Sequence, residues 1–427
     1  MVLKHRSPWS AILITLGMSL LTACGGPKLA QKLEPLEGYF QQQVDEKKTP
    51  GVVVLVRRTD RDDTYVKAVG KLDIDQDKPL PEDALFRIAS MTKPITSVAV
   101  MMLVDDGKLG LDDPISKYLP EWQSPQVVGK PDPANPGASP TTPAKTPITV
   151  KHLLTHTSGI SYPFKADAVT PFYKQAGITN GLEHTRWTLA QESQALAALP
   201  LLHEPGSAFT YGLSTDLLGH LIETVSGQPL DQFFEERIFK PLGMKDTTFF
   251  LSPEQASRLV TLYRHTPAGS LERVPATETN TVEGHFSYAP DFQYAGSKTY
   301  RSGGAGLVST AADYARFLQM IANGGEYGGV RLLKKETVDL MTSNQLGNLK
   351  VEFFPISFGL GFAVQDNPEL TKQLGPLGSY FWSGIFNTSF WVSPQEKVLG
   401  VVMTQSWDPE NPVTSDIQAR ISAALAQ

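Results

Sequence analysis

A chain of 427 residues with 41% hydrophobic and 19% charged side chains carries enough apolar material for a large core, which excludes fibrous and low-complexity classes. Its net charge of −6 argues against a nucleic-acid partner. The single cysteine, Cys24, rules out an internal disulfide and a cysteine-held metal.

The N-terminus has a basic start (Lys4, His5, Arg6), an apolar run from Trp9 to Leu21, and a small-residue ending, Leu21-Thr-Ala-Cys24-Gly-Gly. That is the plan of a secretory signal, and the apolar run falls short of the ~20 residues that span a bilayer. Leu-Thr-Ala-Cys resembles the bacterial lipobox, in which the signal is cut before the cysteine and the new terminus is lipid-modified. The expectation is therefore a signal peptide over 1–23, a lipid-anchored spacer over 24–30, and a folded region over 31–427. The protein would face the periplasm or cell exterior, held to a membrane through Cys24.

From Lys28 to Glu46, Leu29, Leu33, Leu36, Phe40 and Val44 recur at helical spacing, and Pro50-Gly51 ends the pattern, which predicts one amphipathic helix. The β-branched runs 51–58 and 64–70, joined by Thr59-Asp-Arg-Asp-Asp63, predict a hairpin. A third strand over 84–88 leads into Ser90-Met-Thr-Lys93. Ile95, Val98, Ala99, Met102 and Leu103 then follow a helical pattern that buries the helix, and Pro94 suits only its opening.

Serine and lysine three apart share one helix face, so a deprotonated Lys93 can accept the proton of the Ser90 hydroxyl and make it a nucleophile. The pattern Ser-x-x-Lys occurs only here in the chain.

Residues 121–147 carry seven prolines and no apolar period, which predicts an irregular surface excursion. A short helix and turn follow over 149–159. His152 and His156 lie four apart in it, but without the carboxylate of a His-Glu-x-x-His site they read as packed or hydrogen-bonded side chains rather than metal ligands. Two more helices carry Leu217, Leu218, Leu221, Ile222 and Val225, then Leu230, Phe233, Phe234 and Ile238. Thr310-Ala-Ala-Asp313 matches a capping box opening a helix that stops at Asn323-Gly-Gly, and another helix begins near Lys334. Strands return at 358–364, 379–382, 389–392 and 398–405, and a closing helix starts near Thr414. Strands at both ends with helices between predict an α+β fold: one antiparallel sheet built from both termini, flanked by the end helices, with a mostly helical domain inserted. The sheet part is expected over about 31–110 and 291–427, the helical part over about 111–290.

Six stretches carry a resemblance: Ala89–Thr96, Leu153–Gly159, Phe209-Thr-Tyr-Gly-Leu-Ser-Thr-Asp-Leu-Leu-Gly219, Lys240–Thr247, Gly303–Leu307 and Phe381-Trp-Ser-Gly384. Together they resemble the serine β-lactamase and penicillin-binding-protein superfamily, within it the group holding class C β-lactamases and the esterases similar to them. The resemblance implies a β-lactamase/transpeptidase-like fold with the active site between sheet and helical domain, and no metal or other cofactor. It implies Ser90 as acylated nucleophile, Lys93 as its base, and Tyr211 as the tyrosine that relays protons to the leaving group. Trp382, Ser383 and Gly384 match the substrate-binding strand segment, and the N–H groups of Ser90 and Ile385 would form the oxyanion hole.

Two departures bear on substrate. Leu213 stands where the lactamase motif has asparagine, and the chain has no Lys-Thr-Gly. Those groups engage the amide and carboxylate of an antibiotic, whereas Phe209, Tyr211, Phe381, Trp382 and Phe386 are expected to give an apolar cleft, with Arg301 a possible cation from another segment. The expectation is a serine hydrolase acting on a small ester or amide, foremost a carboxylesterase on short-chain esters. The alternatives are a β-lactamase or D-alanyl-D-alanine carboxypeptidase and, in another class, a non-catalytic envelope binding lipoprotein. An α/β-hydrolase is disfavoured because Gly-x-Ser-x-Gly does not occur.

Overall fold

The β-branched runs near the two ends of the chain meet in one eight-stranded antiparallel sheet. Its order is Ser357–Phe358, Ala363–Val364, Tyr380–Gly384, Thr388–Ser393, Val398–Met403, Gly51–Arg58, Thr64–Asp73, Lys78–Pro79. The computed structural model describes residues 27–130, 139–275, 280–282, 286–352, 354–408 and 411–427. The predicted signal, Cys24 and the start of the spacer fall outside these residues.

Strand periodicity divides the core. In the Gly51–Arg58 strand, Val53 and Leu55 face the helices of the interior, while Val52, Val54 and Val56 face a second layer holding Leu29, Leu33, Phe40, Ile417 and Ile421 from the two ends of the chain. Central strands covered on both faces read as continuous apolar runs for this reason. Gly400 is dictated by packing: a Cβ there would collide with the Trp391 indole lying over it from the neighbouring strand.

The expected antiparallel sheet from both termini is therefore present, but several elements differ from their reading. The first helix is broken into Leu29–Leu33 and Glu37–Asp45 by a 3₁₀ turn at Glu34–Leu36, because Pro35 has no N–H for the ladder. The strand expected over 84–88 shrinks to Phe86–Arg87, and it pairs with Val308–Ser309 outside the main sheet. The run 358–364 is a tight hairpin of two short strands, since Gly361 holds φ +92 and its missing Cβ makes room for Ser97. Within the excursion 121–147, Gln126–Val128 and Thr141–Pro143 pair as two strands. Thr310 caps its helix as expected. Asp313 does not close the box: its carboxylate takes Asp246 N at 2.8 Å and Arg316 Nη1 at 2.5 Å instead.

Between the two halves of the sheet the chain forms the helical layer. Its main members here are Thr92–Asp105, Val150–Leu154, Leu189–Ala197 and Ser214–Ser226. Residues 92–103 of the Thr92–Asp105 helix are all buried, so the helix runs through the centre and fixes its first turn rigidly. Among the described residues no helix is long and apolar enough to cross a membrane.

Candidate active site

The turn that presents Ser90 is held from two sides. Arg87, only 3% exposed, donates from Nε to Pro290 O at 2.9 Å and from Nη1 to Val260 O at 3.0 Å and Gln405 Oε1 at 3.2 Å, with Nη2 also on Pro290 O. Burial pushes this guanidinium down to about 10, still well above neutrality, so the carbonyl cage holds a cation. Gln405 Oε1 also accepts from Arg87 N at 2.8 Å. Ala89 then takes φ +42, a conformation costly for a residue with a Cβ, and Ser90 follows in the 3₁₀ turn Ala89–Met91 just ahead of the helix. On the other side Gly384 presses its backbone against this turn, where a Cβ would collide with the Ile88 carbonyl.

Lys93 is fully enclosed, with Nζ 3.4 Å from Ser90 Oγ, 3.0 Å from Tyr162 OH and 2.9 Å from Gly304 O. An ammonium has three N–H donors, and these are three acceptors. The Tyr211 ring centroid lies 4.5 Å from the same nitrogen, and the Tyr211 hydroxyl accepts from Trp382 Nε1 at 3.3 Å. Burial, with Tyr211 and the carboxylates of Asp216 and Glu192 nearby, pushes the Tyr162 phenol well above its ordinary range, which keeps it protonated at neutral pH.

Behind Lys93 lies a buried acidic network. Asp216, on the Ser214–Ser226 helix, accepts from Ser302 Oγ at 2.6 Å and Gly304 N at 3.4 Å through Oδ1, while Oδ2 is buried without a hydrogen-bond partner. A Cβ on Gly304 would collide with that Oδ2 and stand 3.5 Å from Lys93 Nζ, so only a missing side chain separates the acid from the base. Tyr300 OH bonds to Glu192 and lies 3.4 Å from Asp216 Oδ1. Burial raises both carboxyls, and more so at Glu192, where Asp216 adds repulsion. At Asp216 the hydrogen bond from Ser302 and the charge of nearby Lys93 oppose the effect of burial.

Ser90 opens into a cavity of about 730 Å³ also lined by Tyr162, Phe164, Tyr211, Phe286, Phe381 and Trp382, with Ser383, Gly384 and Ile385 along one wall. Ser90, Lys93, Tyr211 and the segment Trp382–Ile385 are thus brought together. Phe209 is not on the wall: it packs behind, against His156 and Phe358, and Phe386 is buried against Tyr288 and Trp407. Leu213 is wholly buried in the core. Arg301 also lies elsewhere, its Nε 2.7 Å from Asp231. Among the described lining residues the cationic side chain is Lys165, which is paired with Glu352 at 2.6 Å.

His156 and His152 do separate work. His156 is buried at φ +55 with its ring 5.0 Å from that of Tyr211, and burial with Lys93 and Lys165 nearby holds its imidazole well below the ordinary value. His152 accepts from Thr149 N at 3.2 Å at a helix start. Among the described residues no three His, Cys, Asp or Glu side chains are grouped to hold a metal ion.

Tyr162, Asp216 and Gly304 were not singled out from the sequence. Tyr162 meets Lys93 across 69 positions with no motif to flag it, although Gly304 lies inside a stretch that carried the resemblance. Asp216 did lie in view, five residues after Tyr211, as an acid among apolar neighbours on a buried helix face.

The sequence model of the family described as Beta-lactamase matches residues 36–425. Esterase EstB of Burkholderia gladioli is 31% identical over 372 residues, covering 86% of this chain and 88% of that protein. A putative D-alanyl-D-alanine carboxypeptidase of Escherichia coli K12 is 30% identical over 405 residues, covering 90% and 84%. Among solved structures, EstCE1, a hydrolase with promiscuous acyltransferase activity, superposes with a TM-score of 0.78 at 30% identity over 93% of this chain and 98% of its own.

Proposed function

The chain belongs to the β-lactamase family of serine hydrolases, and from that premise we propose that it is a carboxylesterase acting on short-chain esters through an acyl-enzyme on Ser90. The observation that carries this reading is Lys93 Nζ shared among Ser90 Oγ, Tyr162 OH and Gly304 O at the foot of an aromatic cavity. When Lys93 is an amine, its two hydrogens go to Tyr162 and Gly304 and its lone pair faces Ser90 Oγ. The hydroxyl proton passes to Lys93 as Ser90 Oγ attacks the ester carbonyl, and the N–H groups of Ser90 and Ile385 receive the oxyanion. Losing one such donor typically costs about 3 kcal/mol of transition-state stabilisation. The C–O bond then breaks, the proton passes by way of Tyr211 to the leaving alcohol, and water activated by the same groups frees the acid.

Two points favour an ester over an antibiotic. Trp382-Ser383 stands where lactamases place a carboxylate partner, and Arg301, the cation expected from another segment, is engaged at Asp231. An unpaired carboxylate against an apolar wall is costly, while acyl and aryl groups gain roughly 25 cal/mol per Å² there. The similarity to the putative D-alanyl-D-alanine carboxypeptidase of E. coli favours peptide hydrolysis as the second reading. The non-catalytic reading has no support among these relatives. Measuring kcat/KM on p-nitrophenyl butyrate, on a chromogenic cephalosporin and on a D-alanyl-D-alanine peptide separates the readings: the ester should win by a wide margin, and a higher value on either of the others would overturn the esterase reading. We further propose, on the lipobox-like Leu21-Thr-Ala-Cys24, that the mature protein is lipid-anchored in the cell envelope and faces the periplasm or exterior.

A further inference from the structure

The cavity that holds Ser90 does not end at Trp382; it continues around an open strand edge onto the other face of the sheet. The Ala363–Val364 strand pairs with Phe381 and Tyr380, so among the described residues Trp382, Ser383 and Gly384 have no strand partner on that side. Directly opposed residues of an antiparallel pair point the same way. Trp382 therefore shares its face with Phe390, toward the core and Ser90, while Ser383 shares the opposite face with Ser389, alongside Phe381 and Trp391. That second face lies under the closing helix Val413–Leu425, whose Thr414, Ser415 and Gln418 line the same cavity. Beside Phe381 this half carries the polar groups Ser389, Thr414, Ser415 and Gln418. Thr414 Oγ1 donates to Asn387 Oδ1 at 3.0 Å and Ser415 Oγ to Pro412 O at 2.9 Å, so both keep lone pairs with which to accept, while the Gln418 amide can donate and accept. Ser389 is only 8% exposed and its Oγ has no protein partner, an unmet bond that a buried group seldom tolerates. No cationic side chain lines this half among the described residues, and the acid there, Asp408, lies 3.1 Å from His265.

A half without cations among the described residues and with an acid at its rim disfavours a carboxylate or phosphate, and the unmet Ser389 Oγ favours a group that can hydrogen-bond over a plain alkyl chain. We propose that this half is a subsite for a neutral, hydroxyl-rich group, so that the ester cleaved at Ser90 is an acylated sugar or other polyol with its polyol seated beneath the closing helix. This rests on the esterase reading and adds the class of alcohol. The test compares a butyrate ester of glucose with ethyl butyrate and p-nitrophenyl butyrate, using wild type, Ser389→Val and Gln418→Leu. Wild type should prefer the glucose ester to ethyl butyrate by about tenfold or more in kcat/KM, as expected from one or two added hydrogen bonds. Each variant should lower the ratio of glucose-ester to p-nitrophenyl-ester kcat/KM by about fivefold, the value of one such bond. Gln418 is only half-buried, so its variant decides the matter even if Ser389→Val fails to fold. Equal turnover of ethyl and glucose butyrate by wild type, or an unchanged ratio in Gln418→Leu, would overturn the polyol subsite and leave the esterase standing. Failure of wild type on every ester would overturn the esterase reading itself.

Discussion

At the scale of single residues, the site depends on how one lysine nitrogen is held. Ser302 and Gly304 N tie Asp216 to the loop whose carbonyl receives Lys93, and the free oxygen of Asp216 faces the same nitrogen. Asp216→Asn keeps the shape and an acceptor oxygen but removes the charge. It should lower kcat about tenfold or more, the value of a hydrogen-bonded charge, with KM little changed. A KM effect alone would show that Asp216 shapes the cavity rather than the base. The same network sets a pH signature. Because the Glu192 carboxyl is raised in the folded chain, the native state binds more protons than the unfolded one above the ordinary carboxylate range, so stability falls as pH rises through that window. Glu192→Gln removes the Glu192 share of this slope. Its melting temperature should therefore improve relative to wild type from pH 5 to pH 8, and a difference that is constant with pH would contradict the assignment.

Among elements, close backbone approach decides where the two tyrosines stand. A Cβ on Gly212 would collide with the Ile160 carbonyl, so this glycine lets the start of the Ser214–Ser226 helix lie directly on the segment carrying Tyr162. Gly212→Ala must push Tyr211 and Tyr162 apart. Activity should fall more than stability does, measured as kcat/KM against the urea midpoint, and an active Gly212→Ala would show that their spacing is unimportant. The Ser90 helix and the hairpin 51–70 were legible because period and turn chemistry are local signals. The strand expected over 84–88 was legible in place but not in extent or partner, because the Val308–Ser309 segment it pairs with lies more than 200 residues away. Pro35 and Gly361 were both visible as breakers, and reading through them merged elements that the backbone separates. Tyr162 shows the same limit for the site. Motif order pointed to Ser90, Lys93 and Tyr211, but a residue without a motif becomes visible only when folding brings it to Lys93.

For the whole molecule, the two ends of the chain build one side of the sheet's core, with Leu29 and Leu33 packed in the same cluster as Ile417 and Ile421. A lipid on Cys24 would thus hold the protein through a spacer that ends against the terminal helix layer. Cys24→Ser should release the mature protein into the soluble fraction with unchanged esterase activity, and equal membrane retention of the variant would contradict the anchor. The central claim is that Ser90 is the nucleophile, and a fluorophosphonate probe tests it most directly. Peptide mapping should find one label per chain, on the peptide holding Ser90, and Ser90→Ala should lose both label and hydrolysis with melting preserved, since the change costs at most a helix-start contact of about 1 kcal/mol. Labelling at another residue, or a Ser90→Ala variant within about tenfold of wild-type kcat/KM, would contradict it.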